Sequence, residues 1–314
     1  MYGQYAEWGL DFIKNDCIYN CVDDSCPIAP RVTGLDVIKG VRRAMLKSGR
    51  KFVYSLSPGG GNSLVKAQEV AQVADMYRIT GDWHDCRSRR PYCTDVNNPA
   101  CQMWNCTKAG PSHPSPVWGR PGLHEHFTNA VVTESMIGNG SYPDPDALTP
   151  YMNATDDADF RLQMTFWSIQ RAPLFAALDM RRPNMVAEDF ALLTNRGVLA
   201  VNSASSHNRQ VSASCDGPQV CKYVWAALAP DGGRYIALMN IGDDAQEVSV
   251  PLPELGIAPT AKCVVRDLWR GEEAPHARQR DVLAANLPAQ NGAELYHLQC
   301  EKEATPSEMT RGFD

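Results

Sequence analysis

Acidic side chains close three strand-like segments of this 314-residue chain: Asp16, Asp82, and the pair Asp144 and Asp146. The strands also deliver Lys14, Arg78 and Ser57 close by. Parallel β/α folds place their chemistry at the carboxyl ends of strands. Two carboxylates from different strands, with cationic groups beside them, suit glycosidic bond cleavage. One attacks the anomeric carbon and the other protonates the leaving oxygen. The attacking carboxylate must stay ionised, which a neighbouring ammonium favours. The acid must hold its proton, which a less polar setting favours. An aspartate after a strand is also an ordinary helix cap or turn residue. It is the recurrence over successive strands that points to chemistry, and spacing alone names no substrate.

These positions need a scaffold of alternating strands and helices. Residues 10–15 read as a short buried strand ending at Asp16. A helix is expected over Leu35–Ser48, with Val37, Val41 and Met45 on one face, then a strand over Lys51–Leu56 stopped by Ser57-Pro-Gly-Gly-Gly. Ser63–Ala74 reads as helix and Met76–Thr80 as strand. This alternation means parallel β/α units. Residues 84–121, with four cysteines, several prolines and a basic run at Arg87–Arg90, read as a disulfide-braced surface insertion. Alternation resumes with a helix over His124–Met136 and a strand over Tyr142–Leu148. An amphipathic helix over Asp159–Arg171, a strand over Pro173–Leu178 and a helix over Met185–Leu193 follow.

After residue 207 the period changes to two. Val220–Ala229, Arg234–Ile241, Ala245–Val250, Cys263–Asp267 and Glu294–Gln299 read as antiparallel strands, with Asp231-Gly232-Gly233 as a hairpin turn. Residues 207–300 therefore read as an all-β module, and 301–314 as a polar tail. Trp225 and Trp269 are expected to pack in its core rather than stack on sugars. His124-Glu-His126 is a poor metal site, since a helix points positions i and i+2 apart. Ser57-Pro-Gly-Gly-Gly-Asn lacks the lysine and spacing of a phosphate loop.

Composition narrows the class. Hydrophobic residues make up 44% and charged residues 21%, so the chain is globular rather than disordered. A net charge of −6 argues against a nucleic-acid partner. The apolar runs, such as 223–229 and 235–239, are too short to span a membrane. The 11 cysteines lack zinc-type paired spacings, so disulfides and an oxidising compartment are the better reading. The sequons at Asn105, Asn139 and Asn153 agree. The chain opens without a leader, so either the secretory reading fails or the start of the gene product is expected upstream.

At the acidic positions the sequence resembles glycoside hydrolase family 27, the melibiase or α-galactosidase family. The matching segments are Trp8-Gly-Leu-Asp-Phe-Ile-Lys14-Asn-Asp16-Cys17, Tyr77-Arg78-Ile-Thr-Gly-Asp82 and Tyr142-Pro-Asp144-Pro-Asp146-Ala-Leu. Gln163 to Phe175 and Leu178-Asp-Met-Arg181 also match, so most of residues 1–206 is covered in the family's order. The resemblance implies a retaining mechanism, with Asp16 as nucleophile and Asp82 as general acid and then base. Their carboxyls should lie roughly 5–5.5 Å apart. Lys14, Arg78 and Asp146 would hold sugar hydroxyls, and no metal or organic cofactor is implied.

Three departures from the family pattern matter. The family's nucleophile follows the fourth of eight barrel strands, whereas Asp16 lies near the start of this chain. Strands one to three are thus expected to be missing, together with the upstream cysteine that the family pairs with the one at position 17, which would account for the odd count. Where typical members carry Cys-Glu-Trp, this chain has Ser55-Leu-Ser57-Pro-Gly-Gly. That form resembles the plant-type branch, some members of which act on β-L-arabinopyranosides, and it assigns Ser57 to the substrate. A serine here is also similar to α-N-acetylgalactosaminidases, although their neighbouring alanine is proline in this chain. The insertion at 84–121 directly follows Asp82 and would shape the rim of the pocket.

The expected architecture is therefore part of a (β/α)8 barrel, strands four to eight, over residues 1–206, followed by an antiparallel β-sandwich over 207–300. The expected activity is removal of terminal α-galactosyl or isosteric β-L-arabinopyranosyl groups. The protein would be secreted, lysosomal or vacuolar, act without membrane or nucleic acid, and form a homodimer when complete. The alternative is a truncated, non-catalytic sugar-binding relic, whose open sheet edges would invite aggregation.

Overall fold

The computed structural model describes residues 1–16, 34–57, 64–80, 121–138, 140–148, 157–177, 187–216 and 220–301. Two compact units are present: Met1–Ala147 with Ala172–Phe175, and Leu148–Arg171 with Ala176–Asp314.

The first unit is built on a parallel sheet of four strands in chain order: β1 (Phe12–Asp16), β2 (Val53–Ser57), β3 (Met76–Arg78) and β4 (Tyr142–Asp144). Helices α1 (Tyr2–Glu7), α2 (Gly34–Lys47), α3 (Leu64–Ala71) and α4 (Pro121–Thr133) precede or connect them. Successive strand residues point to opposite faces. Tyr54, Leu56, Tyr77 and Ile79 thus share one face and pack with Ile38 and Met45 of α2 and with Val70. The buried stripe of α2 runs Gly34, Ile38 and Met45, with Val41 partly buried against it. Val37, expected on that face, is exposed instead: one residue is about 100° of helix turn, so it falls beside the stripe.

Asp75 ties the sheet together. Its carboxylate accepts the Tyr54 N–H (2.8 Å) and an Arg42 N–H (3.3 Å), and its carbonyl accepts the Tyr142 N–H (3.0 Å). The last two strands are shorter than expected. Pro143 and Pro145 have no N–H to give to a ladder, so β4 stops at Asp144, and β3 stops with it at Arg78.

In the second unit, Leu148 and Ala176 form an isolated parallel bridge, backed by the Ala177 N–H donating to the Leu148 carbonyl at 2.7 Å. This corrects the strand expected over 173–178. Pro173 lacks a donor and Arg171 turns the chain at φ +52°, so among the described residues one bridge is all that forms. Helix α5 (Asp157–Ile169) departs from expectation too, because Leu162 to Gln170 are all buried. An amphipathic helix has a wet side. This one packs against α6 (Ala187–Leu193) and α7 (Arg196–Ala204) and against strands of the sandwich. Helix α7 was not expected; its signal was Asn195, whose side chain caps the Val198 N–H at 3.0 Å.

The sandwich strands are β5 (Ser206–Cys215), β6 (Cys221–Leu228), β7 (Arg234–Asn240), β8 (Gln246–Pro251), β9 (Cys263–Asp267), β10 (Glu272–Glu273), β11 (Arg278–Gln279), β12 (Val282–Leu287) and β13 (Gly292–Cys300). A six-stranded sheet, β10-β9-β13-β7-β6-β5, faces a three-stranded one, β11-β12-β8. Val224, Ile236, Leu238, Val250, Leu283 and Leu298 fill the core between them. Strands β5 and β12 were missed in the sequence. β5 is largely exposed, with polar residues on both faces, so its alternation is weak. Trp225 is fully buried and meets Phe166 of α5 edge-on at 5.7 Å. Trp269 is half-buried, donates to Thr165 Oγ1 (3.0 Å) and lies under the Arg161 guanidinium. The Asp231 turn forms as expected, its carboxylate accepting the Gly233 N–H at 2.9 Å. Disulfides Cys215–Cys221 and Cys263–Cys300 staple directly opposed strand residues. The other seven cysteines lie outside the described residues. No helix among the described residues is long and apolar enough to cross a membrane.

Candidate active site

The face of the parallel sheet opposite the helices is polar at its carboxyl end. Register and alternation put Lys14 and Asp16 of β1, Ser55 and Ser57 of β2, Arg78 of β3 and Asp144 of β4 on this one face. Asp16 is paired directly with Ser57, one strand spacing of about 4.8 Å away. Lys14 lies two residues back on the same strand. Ser55, on the same face, is fully buried, and among the described residues its hydroxyl has no hydrogen-bond partner.

Lys14 Nζ reaches Asp144 Oδ2 at 3.9 Å, although β1 and β4 are three strands apart. On a flat sheet that separation would be about 14 Å, beyond a lysine side chain. The sheet therefore curls toward its polar face, as the wall of a barrel does, and gathers these side chains into one concavity.

Asp144 sits at the bottom of the arrangement, 3% exposed. Its Oδ1 accepts the Asp146 N–H at 2.9 Å, and its carbonyl accepts the Ile79 N–H at 3.0 Å. Burial pushes its carboxyl above the usual carboxylate range, opposed by Arg78, the Asp146 N–H and Lys14. Asp146 pairs with Arg78 at 3.1 Å and holds φ +117°, a region ordinarily left to glycine. The loop around it is pinned by Thr80, whose hydroxyl donates to the Pro145 carbonyl at 2.9 Å, and by Asn129, which donates to the Ile79 carbonyl at 2.6 Å.

Of the six residues singled out in the sequence, five are described, and Lys14, Asp16, Ser57, Arg78 and Asp146 all belong to this cluster or its rim. Asp82 lies outside the described residues, as does the insertion up to residue 120. Asp144 was noted in the sequence beside Asp146 but given no task. Its signal was its place two residues after Tyr142, on the same face of a strand. His126, of the discounted His-Glu-His motif, is buried in α4. Among the described residues no group of three or more metal-ligating side chains occurs.

Comparison with known proteins bears on what this face does. Residues 221–294 match the alpha galactosidase C-terminal beta sandwich domain. Alpha-galactosidase 3 of Arabidopsis thaliana is 23% identical over 269 residues, which cover 86% of this chain and 51% of the relative. The alpha-galactosidase of Coffea arabica is 26% identical, over 84% of this chain and 57% of its own length. The chain thus spans about half the length of these curated relatives. Among solved structures, a β-L-arabinopyranosidase from Geobacillus stearothermophilus superposes with TM-score 0.72 at 26% identity, over 97% of this chain and 61% of the other. Alpha-galactosidase I of Mortierella vinacea gives the same TM-score at 20% identity, over 97% of this chain and 71% of its own. The fold is part of a (β/α)8 barrel followed in sequence by an antiparallel β-sandwich.

Proposed function

We propose that this chain belongs to glycoside hydrolase family 27 and that the complete protein is a retaining exo-glycosidase for terminal α-D-galactosyl or β-L-arabinopyranosyl groups, a reading supported by the match of residues 221–294 and by the likeness to α-galactosidases and an arabinopyranosidase. The carrying observation is the shared polar face on which Lys14, Asp16, Ser57, Arg78 and Asp144 converge at the carboxyl ends of successive strands. In this reading a carboxylate oxygen of Asp16 bonds to the anomeric carbon as the bond to the aglycone oxygen breaks. Asp82 gives its proton to that oxygen. Asp82 then takes a proton from water, the water oxygen attacks the anomeric carbon, and the Asp16 carboxylate is released. Lys14, Arg78 and Asp146 supply the charged groups for sugar hydroxyls. Ser57, small and next to Asp16, leaves the room that a bulkier residue would take.

The two sugars share one hydroxyl pattern, and arabinopyranose lacks only the hydroxymethyl group, so one pocket suits both. The likeness to both an arabinopyranosidase and α-galactosidases supports keeping the pair together. Disulfides in the sandwich and the sequons support a secreted or vacuolar setting.

Asp16→Asn in the complete protein is expected to abolish hydrolysis of aryl α-D-galactosides and aryl β-L-arabinopyranosides alike. Full turnover by that variant rejects the assignment. Asp82→Asn is expected to lower kcat by about 10²–10⁴-fold, and least for aglycones that leave without a proton.

A further inference from the structure

We propose that Asp144 is a positioning residue of this site, one carboxylate that holds Lys14 with one oxygen and the Asp146–Arg78 pair with the other. The proposal rests on the glycosidase reading above and deepens it by assigning a task to a buried charge which that mechanism leaves unused.

The geometry divides the work between the two oxygens. Oδ2 faces the Lys14 ammonium at 3.9 Å, and Oδ1 accepts the Asp146 N–H at 2.9 Å. The Lys14 side chain is 43% exposed and, without a counter-charge, would sample many rotamers in water. The Asp144 charge biases it across the concave face, over β2 and β3 toward β4. The Asp146 backbone stands at φ +117° and has to be held there by its neighbours. The Asp144 Oδ1 contact to the residue two positions on is a turn-fixing bond that does this locally. It presents the Asp146 carboxylate to Arg78 at 3.1 Å.

Stability alone does not account for a carboxylate at this place. A buried ion pair is commonly no better for stability than apolar packing of the same volume. The opposite face of the same sheet is packed that way, with Leu56, Tyr77 and Ile79. A charge kept at 3% exposure beside Lys14, Arg78 and Asp146 is accounted for by what it orients.

The test is a double-mutant cycle on the complete protein, read with an aryl α-D-galactoside and an aryl β-L-arabinopyranoside. Asp144→Asn keeps an oxygen for the Asp146 N–H but removes the charge facing Lys14. It is expected to lower kcat/KM by about 5-fold, the upper end for a partly exposed ion pair, and chiefly through KM. Lys14→Met alone is expected to lose a similar factor. Asp144→Asn added to Lys14→Met is expected to cost little more, because its effect runs through the lysine. Should Asp144→Asn fail to fold, Asp144→Glu, which keeps the charge but displaces it, enters the same cycle with the same expectation. Wild-type kinetics in the Asp144 variant, or equal losses in both lysine backgrounds, overturns the proposal. If the wild type is active and Asp16→Asn is dead, that result rejects the positioning role alone. A wild type inactive on both sugars rejects the glycosidase reading and this proposal with it.

Discussion

At the scale of single residues, the site joins charge to an uncomfortable backbone. Asp146 occupies φ +117°, where a side chain costs about 1–3 kcal/mol. Its carboxylate is placed by that conformation to meet Arg78. Asp146→Gly relieves the backbone while Asp146→Ala keeps the strain, and both remove the ion pair. In denaturant titrations of the complete protein the glycine variant is expected to be more stable than the alanine variant by about 1 kcal/mol. Both are expected to raise KM. Equal stability of the two would show that the backbone stores nothing there. The sequence marked Asp146 through the Asp-Pro-Asp motif, yet no local pattern announces a positive φ at a non-glycine residue. That conformation is imposed by Thr80, two residues past β3, and by Asp144 of β4.

At the scale of elements, period two and strand order were legible, and packing environment was not. The sandwich strands were read from alternation, and Cys263–Asp267 falls on β9 residue for residue. Helix α5 was misread as amphipathic because Phe160, Met164 and Trp167 stand at helical spacing. Gln163, Thr165 and Ser168 on its other side are also buried, against partners remote in sequence. Cross-strand staples are the other feature of this scale. Cys263 and Cys300 close 37 residues of chain, and Cys215 and Cys221 close 6. Loop-closure entropy assigns the first about 4 kcal/mol and the second about 2. Replacing Cys263 and Cys300 together by alanine is therefore expected to lower the denaturation midpoint more than replacing Cys215 and Cys221. The reverse order would mean that native packing, rather than the unfolded chain, sets the contribution of each bridge.

At the scale of the molecule, one buried and one partly buried carboxylate link stability to pH. Burial raises the pKa of Glu294 above its ordinary 4.5, against the pull of Arg161 and Arg270 and helped by Asp267. Asp144 is shifted in the same direction. A carboxyl whose folded pKa is raised binds its proton more tightly when folded. Its contribution is then fully present below the unfolded pKa and is lost as pH rises through the folded one. Glu294→Gln is expected to flatten the fall in Tm just above pH 4.5, measured by thermal unfolding of the complete protein across pH 4–7. An unchanged slope would remove Glu294 from the account. Arg161, on α5, and Arg270 both reach Glu294 on β13, so the titration also reports how firmly that helix is held to the sheet.

By itself the sequence determined the order of strands and helices, the switch to an all-β module near residue 207, and which side chains end up at strand ends. Each of these depends on neighbours a few positions away: alternation, turn residues, and the missing donor of proline. Only the tertiary structure decided that Lys14 meets Asp144 across three strands, that α5 is buried on every side from Leu162 onward, and that Asp146 takes a glycine-like backbone. Those outcomes depend on the curvature of a sheet and on groups tens of residues apart in the chain, and curvature is a property of all the strands together, carried by no local pattern.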